Sequence, residues 1–272
     1  MNEYSEKIHY ERHLNHMNSN KKINEDEQIP NKFYNSLDVP EDASNLKKFI
    51  PSEATLTFVP DGECRKSIAQ LARNIRLIIS DYSGNPDKRC RDINYWFSGK
   101  IKTCKSNTGK DISSDSTTVF NDITWNKKGE DVKVCKREED PYKTKPVEIM
   151  KKLDDYCEIR DNNRCNILKD KNECIKYNSY VNRKKQYFSD EKKKICDTSD
   201  CSRNNYTIDA NCTLNNMEDT FREINCDCLY KKDELQKPDH IIKGRSPLEI
   251  GFFIIVSLIL FYLFILFLEK VK

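Results

Sequence analysis

Glycine is scarce in this chain of 272 residues, at seven in all. So few argue against a glycine-rich nucleotide-binding fold and against a turn-dense β-sandwich. Histidine is scarcer still: His9, His13 and His16 lie near the start and His240 beyond the last cysteine. The first three share a helix face, but nothing near them would rigidify a metal site. A histidine base held beside a buried nucleophile is not expected either. The chain contains no G-x-x-x-x-G-K-[ST], G-x-S-x-G or H-E-x-x-H sequence and no EF-hand loop, and each of those absences removes a class of chemistry. No enzymatic activity and no cofactor are expected. One charge sign does not dominate, since the net charge is only +3. No global field therefore steers the chain to nucleic acid, and no nucleic-acid partner is expected. The first 22 residues, MNEYSEKIHYERHLNHMNSNKK, hold no apolar stretch that could form the core of a secretory leader.

One long apolar run is present. From Ile250 to Leu268 the chain reads IGFFIIVSLILFYLFILFL without a charged residue. At about 1.5 Å per residue, roughly 19 residues span a hydrocarbon core of about 30 Å. The run is apolar all round rather than striped, which favours a transmembrane helix over a buried core helix. Ser257 suits it, because its hydroxyl can bond a carbonyl one turn back. Lys243 and Arg245 precede the run and Lys270 and Lys272 follow it, a balance that decides orientation poorly. The expected partner of this segment is membrane lipid.

Twelve cysteines lie outside the run: Cys64, Cys90, Cys104, Cys135, Cys157, Cys165, Cys174, Cys196, Cys201, Cys212, Cys226 and Cys228. An even number confined to the polar region reads as a disulfide framework, with pairing open. Zinc is the competing reading, but it needs close ligand pairs. There is no C-x2-C here; the nearest candidates are Cys196-x4-Cys201 and Cys226-Asp227-Cys228, with no histidine between them. Cys226 and Cys228 are expected to take different partners. Disulfides imply an oxidising compartment, whereas a C-terminal anchor behind a polar N-terminus suggests a head in the reducing cytosol. The sequons Asn205-Tyr206-Thr207 and Asn211-Cys212-Thr213 are compatible with the first but arise often by chance in an Asn-rich chain.

Organisation follows from punctuation and periodicity. Residues 1–28 are polar and patternless and are expected to be flexible. Pro30, Pro40, Pro51 and Pro60 limit 29–62 to short helices. With Asp61 as N-cap and Gly84 as stop, Ile68, Leu71, Ala72, Ile75, Ile78 and Ile79 predict a helix that also carries Cys64. Positions 90, 93, 97, 101 and 104 predict a second, cysteine-bearing helix face widened by Tyr95 and Trp96. Its aromatics read as core rather than as a ligand box. Residues 105–118 read as an exposed loop. Val119, Phe120, Ile123 and Trp125 predict a short helix ended by Lys127-Lys128-Gly129. Pro146 opens a helix with Val147, Met150, Leu153 and Cys157 as its buried stripe. A longer one over about 170–197 carries Cys174, Tyr177, Val181, Phe188 and Ile195 on one face. Its lysine runs, 183–185 and 192–194, read as a solvated face. Residues 198–230 form a disulfide-tied subregion. The expected fold class is all-α: a disulfide-crosslinked helical ectodomain (29–230), a polar tether (231–249), one C-terminal transmembrane helix (250–268) and a short tail (269–272).

Four segments resemble one family. IPNKFYNSLD (29–38), CRDINYWF (90–97), KKLDDYCEIRD (151–161) and NECIKYNSYVNRKKQYFSDEKKKIC (172–196) are similar to segments of the Plasmodium interspersed repeat (PIR, vir-like) variant antigens of malaria parasites. CRDINYWF is the most specific of them, and the resemblance covers most of 29–268. It implies a helical, disulfide-bonded extracellular-type domain without catalytic residues, exported into or onto the infected red cell and acting in immune evasion or adhesion. The implied partner is a host or immune receptor protein. The sequence departs from the family in its short tail. Arg12-His13-Leu14-Asn15-His16 also ends in histidine where an R-x-L-x-[EDQ] export signal needs an acid or glutamine. The other reading is a tail-anchored intracellular trafficking or scaffold protein.

Overall fold

Helices begin where the chain can satisfy their first amide groups. In the computed structural model, which describes residues 22–50, 62–198 and 206–230, α1 (Ile29–Leu37) starts with Pro30 in its first turn, where a missing N–H is no loss. It buries Phe33 and Leu37. A 3-10 turn (Ala43–Asn45), capped by the Asp42 side chain, and α2 (Leu46–Phe49) follow. Residues 22–28, expected to be flexible, are built into the fold: Ile23 is buried, and Glu25 pairs with Lys184 at 2.6 Å.

The periodic stripe forms α3 (Glu63–Ser80). Ile68, Leu71, Ala72, Ile75 and Ile78 are inaccessible, and Ile79 lies at the edge. The N-cap is Gly62 and the helix closes at Ser80, short of Gly84. The polar face of α3 also has work: Arg73, Asn74 and Arg76 donate to the carbonyls of Val39, Leu37 and Phe49, holding the proline-broken segment against it. The next helix, α4 (Pro86–Thr108), is capped by the Asn85 side chain and ends on Gly109 at φ 72°, a left-handed position that glycine fills without steric cost.

Two sequence expectations fail between 105 and 133. The predicted loop at 105–118 is largely helix, because α4 runs to Thr108 and α5 (Ser113–Asp122) starts soon after. Its Ser and Thr hydroxyls bond backbone carbonyls three or four residues earlier, as in Thr108 to Cys104 and Ser116 to Ser113; local side-chain bonding accommodates these residues within a helix. Beyond α5 the chain turns to β rather than stopping a helix. β1 (Thr124–Lys127) and β2 (Glu130–Lys133) pair antiparallel with Trp125 opposite Val132. Lys128 and Gly129 take φ of 56° and 91°, the two-residue turn that matches strand twist. The fold is therefore mostly helical rather than all-α.

α6 (Val147–Arg164) begins just after Pro146, and a 3-10 turn (Cys165–Leu168) leads into α7 (Lys171–Thr198). A second small ribbon, β3 (Thr207–Asp209) with β4 (Cys212–Thr213), and the turn α8 (Met217–Thr220) follow. The buried side of α6 is broader than the predicted stripe, including Ile149, Tyr156 and Ile159 besides Met150, Leu153 and Cys157. One core lies among α1 to α5. A second gathers Tyr156, Tyr180, Phe188 and Phe221, with Tyr156 stacked 4.6 Å from Phe221. Each such aromatic buries roughly 150–250 Å². The chain divides into two units, Met1–Ile224 and Asn225–Lys272. In the second, the described residues 225–230 include a helical turn closed by Leu229 N–H on Asn225 O.

Crosslinks join elements distant in sequence. Cys64–Cys104 ties α3 to α4, Cys90–Cys135 ties α4 to the segment after β2, and Cys157–Cys212 ties α6 to β4. Cys174, Cys196 and Cys226 are also disulfide-bonded. Two of the twelve candidate cysteines are not in bridges. Cys165, at the bend between α6 and α7, and Cys228 are exposed free thiols. Cys201, the four histidines, the tether and the 250–268 run lie outside the described residues. Among the described residues no helix is long and apolar enough to cross a membrane.

The three mapped bridges close 40, 45 and 55 residues, so chain entropy gives each about 4 kcal/mol. Peptide mass mapping without reduction is expected to recover those three pairs. In the same digest Cys165 and Cys228 are expected to alkylate before any reductant is added; a bridge at either would contradict the fold.

Candidate functional site

The inner faces of α4 and α6 carry charge where a helical bundle ordinarily carries leucine. Lys88 Nζ lies 2.5 Å from Asp92 on its own helix and 2.7 Å from Asp155 on α6. Lys151 Nζ reaches Asp155 at 2.6 Å and Asp92 at 3.2 Å. Arg89 contacts Asp92 and Glu158. Arg91 grips Asp154 with two parallel bonds of 2.8 and 2.9 Å, and Tyr142 donates its hydroxyl to the same carboxylate. Four cations thus meet four carboxylates. Lys88, Arg89 and Asp92 are closed to solvent.

α1 covers one side of this network through its aromatic rings. The Arg89 guanidinium sits 4.9 Å from the centre of Phe33 and the Lys151 ammonium 4.4 Å from that of Tyr34. Such contacts are worth more when desolvated. Burial disfavours the charge on Lys88, but Asp92, Asp155 and Asp154 outweigh it and hold the amine above its ordinary value. Burial likewise pushes the Asp155 carboxyl up, yet Lys88 and Lys151 bring it below the ordinary 3.8. Glu158 goes the other way, raised by burial that Arg89 only partly offsets.

Each residue of CRDINYWF has a structural task. Cys90 bridges to Cys135, Arg91 and Asp92 enter the network, and Ile93 and Phe97 fill the core. Asn94, fully buried, donates to Lys136 O at 2.8 Å and accepts from Glu138 N–H at 2.8 Å, so its amide stands in for a neighbouring strand. Tyr95 packs between Tyr34 and Tyr142. Trp96 donates its indole N–H to Asp38 at 2.9 Å, pinning the end of IPNKFYNSLD. Every family-like segment up to residue 161 therefore converges on α4.

The network supports an open cleft. A depression of about 1310 Å³ is lined by Arg91, by residues of the segment 133–145, which is irregular once β2 ends at Lys133, and by Thr207 and Ile208. Cys90–Cys135, Asn94 and the Tyr142–Asp154 bond clamp that segment at three points. Its lysines and carboxylates face outward. Among the described residues no group of three or more His, Cys, Asp or Glu side chains is arranged to hold a metal.

Sequence reasoning anticipated the aromatic core of α4 and missed the charge face beside it. The available signal was the i,i+4 pairing of Lys88 with Asp92 and Lys151 with Asp155. In a chain that is 33% charged, such pairs arise everywhere on solvated helices. Of the acidic run Glu138-Glu139-Asp140, the first and last line the cleft. The lysine runs of α7 are partly drawn into the fold, since Lys184 pairs with Glu25 and Lys192 donates to Leu214 O, while Lys185 meets Glu218 at the surface, as a solvated face would.

A family model described as Plasmodium vivax Vir protein matches residues 30–245, most of the chain. No curated protein matches the chain. No solved structure matches it either.

Removing one member of a buried pair strands its partner. Asp92→Asn is expected to lower unfolding free energy by about 3 kcal/mol, read as a shift in urea midpoint without a change in slope. Asp155 is depressed in the folded state, so its contribution is present above about pH 4 and lost as pH falls further. Lys88 is raised, so its contribution is complete below about pH 10 and is lost only as pH rises through the folded value. Urea midpoints measured from pH 7 down to 3 are expected to fall, and Asp155→Asn to flatten that fall.

Proposed function

The chain belongs to the Vir family of Plasmodium proteins, the vir-like variant antigens, and from that membership we propose that it is a single-pass surface antigen of the infected red cell. In this reading the 250–268 run anchors the protein in the bilayer and the crosslinked helical head meets host or immune receptor proteins. It acts by binding, in adhesion or immune evasion, and not by catalysis.

The disulfide set carries the proposal. Bridges that join α3 to α4, α4 to the cleft segment and α6 to β4 are structural crosslinks, and such crosslinks persist where the surroundings are oxidising. A head held in the cytosol would meet thiol-reducing systems throughout its life. The uncharged run Ile250–Leu268 supports the anchor by length and by its apolar character on every side. The clamped segment 133–145 supports binding, because its outward side chains stand on a backbone fixed by the buried Cys135, Asn94 and Tyr142.

Protease treatment of intact infected red cells tests display. Loss of the head, followed with an antibody against residues 62–198, is the expected result. A head protected until the membranes are permeabilised would mean an inward-facing, tail-anchored protein and would overturn the proposal. Alkaline carbonate extraction tests the anchor separately: the full chain is expected in the pellet and a chain ending at residue 249 in the supernatant.

A further inference from the structure

The cleft on α4 combines unpaired charges of both signs in a rigid frame. Lys136, Lys143 and Lys145 line it, and among the described residues none of the three has a carboxylate partner. Lys133 is held toward the cleft by a 2.7 Å bond to the Asn121 amide, itself a lining residue. Asp87, Glu138 and Asp140 add carboxylates to the same walls. Of the apolar lining residues, Val134, Pro141 and Tyr142 are buried and Ile208 is half-buried, so the charged groups an incoming molecule meets are the exposed amines and carboxylates of the rim.

Lys143 adds an independent observation. Its backbone sits at φ 53°, a left-handed conformation that costs a lysine on the order of 1 kcal/mol. It is held there between the buried Tyr142 and the start of α6, with Thr144 N–H bonded to Tyr142 O. Strain of this kind persists where surrounding structure over-determines a residue, so the course of the chain at Lys143 is fixed by its neighbours.

We propose that this cleft binds an acidic oligosaccharide, its anionic groups on Lys133, Lys136, Lys143 and Lys145 and its hydroxyls on Asp87, Glu138, Asp140 and Asn121. Point-charge ammonium groups suit anions scattered along a sugar chain, whereas a planar carboxylate or phosphate recognised on its own favours a guanidinium fork. Carboxylates beside the lysines would repel a purely anionic polymer, but they accept hydrogen bonds from sugar hydroxyls. A preorganised frame reduces the ordering cost of binding. The ligand identity rests on the reading of the head as a binding domain.

The test titrates the full-length protein in detergent micelles with two size-defined probes, a heparin hexasaccharide and a hyaluronan hexasaccharide, with maltohexaose as the neutral comparison. Saturable binding of at least one acidic probe is expected at about 50 mM salt, weakening as salt is raised. The stronger arm tells sulfate from carboxylate as the recognised group. Replacing Lys136, Lys143 and Lys145 together with serine is expected to weaken binding on the order of tenfold to a hundredfold. Replacing the exposed Lys102, Lys110 and Lys169, which do not line the cleft, is expected to change it less than about twofold. Lys143→Gly separates binding from folding: glycine accepts the left-handed backbone, so the melting temperature is not expected to fall while affinity does. No binding of either acidic probe, equal losses in the two triple variants, or full affinity in Lys143→Gly would overturn the proposal. Failure here leaves surface display untouched, and a protected head on intact cells would leave the titration untouched.

Discussion

The rest of the head is arranged around four cations and four carboxylates gathered between α4 and α6, with Lys88, Arg89 and Asp92 fully closed to water. Removing such groups from water costs several kcal/mol per ion, and the mutual attraction offsets this only when geometry is close and every polar atom finds a partner. That requirement makes the network a register device. Lys88 must reach Asp155, Lys151 must reach Asp92, and Arg91 must meet both oxygens of Asp154. A slide of one residue along either helix breaks several of these at once. An apolar interface of the same area would tolerate many neighbouring registers. The network therefore contributes more to which structure forms than to how stable it is.

From that fixed pair the other parts take their positions. α1 lies across it through Phe33 and Tyr34, and Trp96 holds Asp38 at the end of α1. Asn94 and Cys90 fasten the chain after β2. The lysines and carboxylates of that segment are exposed, while the groups that fix its path, Cys135, Asn94 and Tyr142, lie buried beneath them. This division suits a binding protein. The scaffold is specified by buried charge and disulfides, while the exposed rim of the cleft sets what is bound.

Much of this is legible in the amino-acid sequence. The stripe from Ile68 to Ile78 and the face from Cys174 to Phe188 lie where periodicity puts them, since apolar burial at helical spacing leaves few alternatives. Other parts were hidden for identifiable reasons. The Ser/Thr-rich stretch at 105–118 resembles a loop by composition, but its hydroxyls bond inside helices. Lys128-Gly129 reads as a helix stop until both residues are seen at positive φ. The charge network was the least visible, because Lys88 and Asp92 look no different from the many i,i+4 pairs on solvated helices. Cysteine number pointed to crosslinks, yet neither the pairing nor the free thiols at Cys165 and Cys228 follow from a count. The segments similar to the Vir family marked the hub without revealing that their conspicuous residues are structural.

A double-mutant cycle between Lys88 and Asp155 tests the central claim most directly, because the pair joins α4 to α6 and sits 2.7 Å apart. Lys88→Met, Asp155→Asn and their combination would be unfolded in urea with disulfides intact. The account predicts a coupling energy of about 2 kcal/mol or more, in the range found for groups sharing one network. Additivity within about 0.5 kcal/mol would contradict it, and would mean that the pair does not couple the two helices.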